Sequence, residues 1–391
     1  MGNTLHWHFD FKLEIKMPWI EETVMSQKQE FIKQVLAKKC SFSDICHRFK
    51  ISRKTGYKIL NRYRAEGPTS LTSQSRKPHK SPNKTPAEIE AQIINVRLEY
   101  PTWGARKIET VLRKNNLIDV PSISTISEIL KRNHYICPKE SLKRKKLIRF
   151  EREASNDLWQ IDFKGKFQLQ TKLPCYPLTI IDDYSRFCPC IQSCENEQFS
   201  TVYKQLIKVF ETYGMPEQMN FDNGNPWGNS QLFRHTKLTV WLMRLGIKVT
   251  HSRPRHPQTN GKIERFHRTL KKDILHKKII TDHAHAQLIF DEWRDIYNYK
   301  RPHEAIGMRT PAEKFEISLR KYPKKIPNIT YGVGALIRKV RGNGYVSYEG
   351  QEYHVGEPFS GFQIEIKAHK DIGLFDIYFD KFKIYSYKLE A

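Results

Sequence analysis

The stretch HPQTNGKIERFHRTLKKDI, residues 256–274, decides how the rest of the chain is read. Pro257 and the Asn260-Gly261 pair punctuate its start, and from Lys262 onward the pattern is helical. Ile263, Phe266, Leu270 and Ile274 recur at the helical period and predict one apolar stripe. Glu264, Arg268 and Lys271 fall on another face, at i, i+4 and i+7. The ordinary meaning of that spacing is a solvated Glu–Arg pair one turn apart. The sharper meaning is a carboxylate held rigidly at a cleft, with cations beside it for a phosphate backbone.

The sharper meaning needs more acids. LWQIDFKG at 158–165 puts Asp162 in an apolar, strand-like run. EQMNFDNGN at 217–225 puts Asp222 at the end of a short strand broken by Asn223-Gly224. Taken singly, each reads as an ordinary strand-end or turn residue. Together, three carboxylates from two strands and a helix can hold two Mg²⁺ ions, because hard cations prefer oxygen ligands. Two such ions about 3.5–4 Å apart clamp the attacking and leaving oxygens of a phosphoryl transfer.

With their flanking words, Asp162, Asp222 and Glu264 resemble the DDE triad of the integrase-core transposases, the bacterial insertion-sequence relatives of retroviral integrase. The words are DDYSRF at 182–187, FDNG at 221–224, HPQTNGKIERFHRTL at 256–270 and YNYKRPHEAIGMRTPAE at 297–313. Between Asp222 and Glu264 lie 41 residues, which leaves room for a short insertion around 226–240. The resemblance implies an RNase H-like α/β core over 153–318. It implies a DNA transposase that binds the terminal inverted repeats of its element and catalyses metal-dependent DNA cleavage and strand transfer. Asp162, Asp222 and Glu264 would be the catalytic and metal-binding residues, with two Mg²⁺ per active site and Mn²⁺ able to substitute. Its partners would be double-stranded DNA, as element ends and as target, and further copies of itself assembled on DNA. Retroviral integrases also carry a zinc module; no His-His-Cys-Cys pattern exists here, so no zinc is expected.

Charge supports an anionic polymer as partner. The 391 residues carry a net +25, and residues 1–150 hold 30 Lys/Arg against 14 Asp/Glu. Such a front half fits nucleic acid better than a membrane surface. No apolar run is long enough to span a bilayer, and acids interrupt the apolar residues at the start, so neither a membrane nor a signal peptide is expected. Seven scattered cysteines read as reduced thiols of a cytoplasmic, nucleoid-associated protein. Cys188, Cys190 and Cys194 read as strand residues, not metal ligands.

Residues 1–16 read as a leader, with Met17 as an alternative start. Over 20–66 three helices are expected. The first, Ser26–Ala37, has Phe31, Ile32, Val35 and Leu36 as its apolar set, and the second follows Ser41. The third follows the cap Ser52, with Thr55, Ile59 and Tyr63 inward and Arg53, Lys54, Tyr57, Lys58 and Arg62 outward. A basic third helix reads as a helix-turn-helix with those outward residues on DNA; a small bundle with a solvated basic face is the competing reading. A Pro-rich basic linker at 67–86 precedes a second helical unit at 87–135, capped in its last helix by Ser122 or Ser124. That unit resembles the second helix-turn-helix of the same transposases, with Arg106 and Lys107 as phosphate contacts. A basic connector at 136–152 leads into the core.

The core reads as strands at 158–167, 176–183 and 186–194, a helix at 198–213, a strand ending at Asp222, a helix at 230–245 and a strand at 247–249. The Glu264 helix and another at 283–299 follow. Asp182, Asp183 and Asp157 compete with Asp162 as ligands; Asp182 and Asp183 are read as turn residues paired with Arg186. His256, Asn260, Lys262, Arg268 and Lys271 are candidate DNA contacts, and His267 is either a substrate contact or a surface residue. Six short alternating runs over 330–391 predict a small all-β barrel. Three other functions remain in competition: a Ser or Tyr recombinase, a nuclease of RNA–DNA hybrids, and a non-catalytic sequence-specific repressor derived from a transposase.

Overall fold

The computed structural model describes residues 23–72, 84–136, 152–222, 224, 226–228, 235–252, 261–369 and 373–389. The expected leader, most of the Pro-rich linker, the basic connector, His256 and Asn260 lie outside the described residues. The chain divides into two compact units after Lys84.

The first unit holds α1 (Val24–Ala37), α2 (Phe42–Arg48) and α3 (Arg53–Glu66). Thr23, Ser41 and Ser52 cap them with side-chain oxygens on the third backbone N–H that follows. Phe31, Ile32, Ile45, Cys46, Leu60 and Leu71 form the core. Two expectations shift. Leu36 is exposed, and α3 turns Gly56 and Leu60 inward where Thr55 was expected. The reason is a close approach. A Cβ on Gly56 would stand 2.6 Å from Cys46 Sγ, so only glycine lets α3 sit this near α2.

The second unit begins with α4 (Ala87–Glu99), α5 (Ala105–Lys114) and α6 (Ile123–Arg132), packed around Ile93, Trp103, Ile108, Ile126 and Ile129. Ser122 is the cap of α6.

The core sheet contains β1 (Trp159–Phe163), β2 (Phe167–Gln168), β3 (Pro174–Asp182), β4 (Cys190–Cys194), β5 (Gln218–Phe221) and β6 (Lys248–His251). Its order is β2-β3-β1-β5-β6, with β4 also on β3. The first strands pair antiparallel, while β1–β5 and β5–β6 are parallel. On one face, Trp159, Ile161 and Phe163 pack on α7 (Phe199–Tyr213) and α8 (Lys237–Arg244) through Leu206, Phe210 and Trp241. On the other lie α9 (Gly261–Leu270) and α10 (His283–Asp295). Ile263, Phe266, Leu270 and Ile274 are all buried there, and the helix continues past Leu270 in wider π turns through Leu275. This is an RNase H-like arrangement of a mixed sheet between helices.

The C-terminal part is all-β. β7 (Leu336–Lys339), β10 (Gln363–Ala368), β11 (Leu374–Phe379) and β12 (Phe382–Lys388) form one sheet, and β8 (Tyr345–Tyr348) pairs with β9 (Gln351–His354) in another. Among the described residues the ladders therefore make two sheets around one apolar core, not a closed ring.

Candidate active site

The alternation of WQIDF sets the site. Trp159, Ile161 and Phe163 go into the α7–α8 core, so Gln160 and Asp162 leave β1 toward α9. β5 lies beside β1 with Trp159 opposite Met219 and Gln160 opposite Asn220. Asp222 follows β5 directly, so both aspartates stand at the carboxyl ends of neighbouring parallel strands, where open α/β sheets place ligands. Asp222 turns back on its own loop, its Oδ1 accepting the Gly224 N–H at 2.9 Å. A Cβ on Gly224 would approach the Asp222 carboxylate oxygens to 3.2 and 3.3 Å, which explains the glycine. His251, next to β5 on β6, donates from Nδ1 to the Asp222 main-chain oxygen at 2.9 Å.

Glu264 sits exposed in the first turn of α9. That turn is clamped to the sheet. Buried Gln160 accepts the Ile263 N–H with Oε1 at 3.2 Å and donates Nε2 to Asp183 Oδ1 at 2.9 Å. Lys262, one residue away, ion-pairs with the buried Asp183 carboxylate. The cation for Asp183 is thus Lys262, where Arg186 had been expected. The neighbouring Asp182 is fully buried and accepts from Ser185 N, Ser185 Oγ and Asn156 N. Asp157 accepts the Ala154 N–H in the loop before β1.

His267, one turn after Glu264, is buried. Its Nε2 lies 2.7 Å from Thr179 Oγ1 and its Nδ1 lies 3.8 Å from Asp162 Oδ2. It is therefore neither a surface residue nor free to contact a substrate, because the apolar face of α9 holds it against β3.

Burial, then the charge of Asp222, pushes the Asp162 carboxyl up to about 7, with Glu197 and Glu264 adding to the rise. Glu197, at the mouth of α7, is itself raised by burial and by Asp222. Lys164 is lowered by burial and by Lys271, with Asp162 opposing. Four acids and three lysines, Lys166 beside Glu197 among them, thus act on one another here. Glu197 had no motif to mark it in sequence, and only the folded sheet brings it near; Lys164 stands two residues after Asp162 in LWQIDFKG, where nothing set it apart from the other cations. Hard carboxylate oxygens from Asp162, Asp222 and Glu264 suit a divalent cation such as Mg²⁺. Among the described residues no group of three acids, imidazoles or thiols already stands close enough to hold a metal ion, and Asp222 spends one oxygen on Gly224.

The remaining candidates fall in three places. Arg268 on α9 and Lys271, in the π turn that follows it, are exposed on the side of Glu264. Arg53, Lys54, Tyr57 and Lys58 are exposed on α3, with Tyr57 stacked on Phe42 at 4.2 Å. Arg62 is half-buried, donating to Ser70 O at 2.7 Å. Arg106 and Lys107, on α5, face acids of the core. Arg106 pairs with Glu304 at 3.6 Å. Half-buried Lys107 is lowered to about 7 by burial and by Arg301, with Asp273 and Glu304 opposing. The cysteines of β3, β4 and the turn between them are buried, and burial pushes the Cys190 and Cys194 thiols up to about 12.

Comparison with known proteins places this geometry in context. Family models for the integrase core domain match residues 152–257 and 245–311. Models for a helix-turn-helix domain and a homeodomain-like domain match 27–79 and 55–130, and one for the IS481 family transposase C-terminal domain matches 335–390. An uncharacterized 39.2 kDa protein of insertion element IS476 from Xanthomonas euvesicatoria is 25% identical over 60% of this chain and 66% of its own. A counterpart from insertion element IS407 of Burkholderia multivorans is 26% identical over 41% of this chain and 55% of its own. The chain thus spans between about half and two thirds of these two relatives. A putative transposase for insertion sequence element IS5376 from Geobacillus stearothermophilus is 23% identical over 86% of this chain and 81% of its own. Among solved structures, the simian T-cell lymphotropic virus intasome in complex with a PP2A regulatory subunit is 15% identical over 76% of this chain and 99% of that chain, with a TM-score of 0.35.

Proposed function

We propose that this chain, a member of the transposase and integrase family with helix-turn-helix domains at its front, binds the terminal inverted repeats of its element and catalyses metal-dependent DNA cleavage and strand transfer. The observation that carries the reading is the placement of Asp162 and Asp222, each two residues past the paired Gln160 and Asn220 of adjacent parallel strands, on the side of the helix that bears Glu264. These three carboxylates would hold two Mg²⁺, or Mn²⁺ in its place. When bound, the ions would activate a water or a 3′-hydroxyl and neutralise charge on the phosphate under attack. Burial and Asp222 raise the Asp162 carboxyl, and a bound cation would favour its deprotonated, ligating form. Exposed Lys271 and Arg268, with Lys164 beside Asp162, would hold the DNA backbone. No covalent protein–DNA intermediate is required.

The division of labour we propose runs along the chain. Residues 20–66 and 87–135 would read DNA, with Arg53, Lys54, Tyr57 and Lys58 on the exposed side of α3. The segments 67–86 and 136–152 would track phosphates. Residues 153–318 would cut and join, and 330–391 would act as a small all-β module on DNA or a neighbouring subunit. Two ends must be brought together, so the chain would work as a homo-oligomer on DNA, in the bacterial cytoplasm with the nucleoid. No helix among the described residues is long and apolar enough to cross a membrane.

The test is strand transfer by purified protein with Mg²⁺ and DNA carrying the element's ends, beside Glu264→Gln. Metal-dependent joining that disappears in the variant, with end binding kept, is the expected result. End binding without joining in either protein would replace this reading with that of a transposase-derived repressor.

A further inference from the structure

Three groups meet behind Asp162. β1 and β3 are antiparallel with Asp162 directly opposite Thr179, so both side chains leave the sheet on the face that α9 covers. Thr179 Oγ1 donates its single hydrogen to the Asp162 main-chain oxygen at 2.8 Å, since a carbonyl can only accept. With that hydrogen spent, Oγ1 must accept at its other contact, His267 Nε2 at 2.7 Å. Nε2 therefore carries the ring hydrogen.

The other ring nitrogen, Nδ1, lies 3.8 Å from Asp162 Oδ2, outside hydrogen-bond range. The imidazole thus braces the backbone of Asp162 and takes nothing from its carboxylate. A donor at Nδ1 would do the opposite, occupying an oxygen needed for a cation. The brace acts beyond Gln160, where the ladder between β1 and β5 has already stopped. Asp162 is the penultimate residue of β1, and Asp222 repels its carboxylate. We propose that His267, acting through Thr179, is a positioning residue that fixes the strand end presenting Asp162 to a divalent cation. The proposal rests on the metal-dependent reading of the site.

Mn²⁺ binding to the full chain without DNA, followed by electron paramagnetic resonance, tests it independently of turnover. The series is wild type, His267→Ala, His267→Gln, Thr179→Val, Thr179→Ser and the Ala/Val double variant, with Asp162→Asn as control. Thermal unfolding and DNA binding are measured in parallel. Loss of an outer-shell group costs about 10–100-fold in metal affinity. His267→Ala and Thr179→Val are expected to weaken Mn²⁺ binding about tenfold, and the double variant no more than either alone, with DNA binding unchanged. His267→Gln puts an amide N–H near the place of Nε2, and Thr179→Ser keeps the hydroxyl, so both should stay close to wild type. Equal affinity throughout, with only thermal stability reduced, overturns the proposal and leaves His267 a packing residue. So does an equal loss in the Gln and Ser variants. A wild type that binds no Mn²⁺, or binds it as well with Asp162→Asn, overturns the metal reading itself.

Discussion

Asp162 and Asp222 each lie two residues beyond a paired couple, Gln160 and Asn220, on neighbouring parallel strands. Burial and that neighbouring charge raise Asp162 to about 7. An acid raised on folding binds its proton more tightly in the folded chain, so metal-free stability falls as pH rises from about 4 to 7. Asp162→Asn removes the loss. In EDTA at pH 8 the variant should melt a few degrees above the parent, and below pH 4 the difference should vanish. Mg²⁺ should then stabilise the parent and leave the variant unchanged. Thermal melts at the two pH values, with and without metal, check the sign. A variant less stable than its parent at pH 8 in EDTA would mean that Asp162 is not strained by its neighbours.

The Lys262–Asp183 pair makes a second prediction, because it decides between two roles for Lys262. A DNA contact would lose affinity when truncated and keep its stability. A buried clamp does the reverse. Asp183 is nearly inaccessible and also accepts from Gln160, so Lys262→Ala leaves a buried carboxylate without its cation. Breaking such a pair costs about 3–5 kcal/mol. We expect lost protection of the α9 amides in hydrogen exchange and reduced strand transfer with end binding retained. Lys262→Met with Asp183→Leu should recover most of the protection. Full protection in Lys262→Ala with weaker DNA binding would return Lys262 to the DNA-contact role.

The pattern of legibility follows from the range of each interaction. The stripe Ile263, Phe266, Leu270 and Ile274, the caps Ser52 and Ser122, and the six C-terminal strands are local signals, and the fold keeps them. Lys262 meets Asp183 across 79 positions, and His267 meets Thr179 across 88. No periodicity reports such pairs. His267 was ambiguous because a histidine beside a charged face looks alike whether it points out or in. Arg186 was nominated for Asp183 by sequence nearness, and the arrival of α9 supplied a different cation. On α3, Ile59 and Tyr63 pack on the core as expected, while exposed Thr55 gives way to Gly56 and Leu60, because glycine carries no hydrophobic signal although a tight crossing needs it most.

That crossing gives a third prediction. Gly56→Ala adds helix propensity worth about 1 kcal/mol. It also drives a methyl to 2.6 Å from Cys46 Sγ and 3.0 Å from the Phe42 ring. Overpacking of this kind costs about 1–3 kcal/mol. The clash should win, so hydrogen exchange of the α1–α3 amides should quicken in the variant. In a Cys46→Ala background the same substitution should be neutral or protective, because the sulfur is gone. Slower exchange in the single variant would show that the helices have room to separate.

The last prediction concerns the cations of α5. Lys114 bonds Glu313 at 2.6 Å and Arg106 pairs with Glu304 at 3.6 Å, all four side chains being substantially exposed. Exposed pairs contribute little to stability, about 0–1 kcal/mol, so Glu304→Gln with Glu313→Gln should fold normally. Glutamine at 313 also preserves a partner for the Thr310 N–H that Glu313 now caps at 2.8 Å. The consequence should appear in binding instead. Two cations released from carboxylates become available to phosphate, and two negative charges leave the approach path. DNA affinity should rise several-fold at low salt, and the dependence of log affinity on log salt should steepen by up to two counterions. At high salt the gain should disappear, since screening already weakens both pairings. Arg106→Gln in the same background should remove part of the gain. If the double variant binds DNA no better than the parent at low salt, α5 lies away from DNA, and its basic row serves only to dock the helix on the acidic edge of the core.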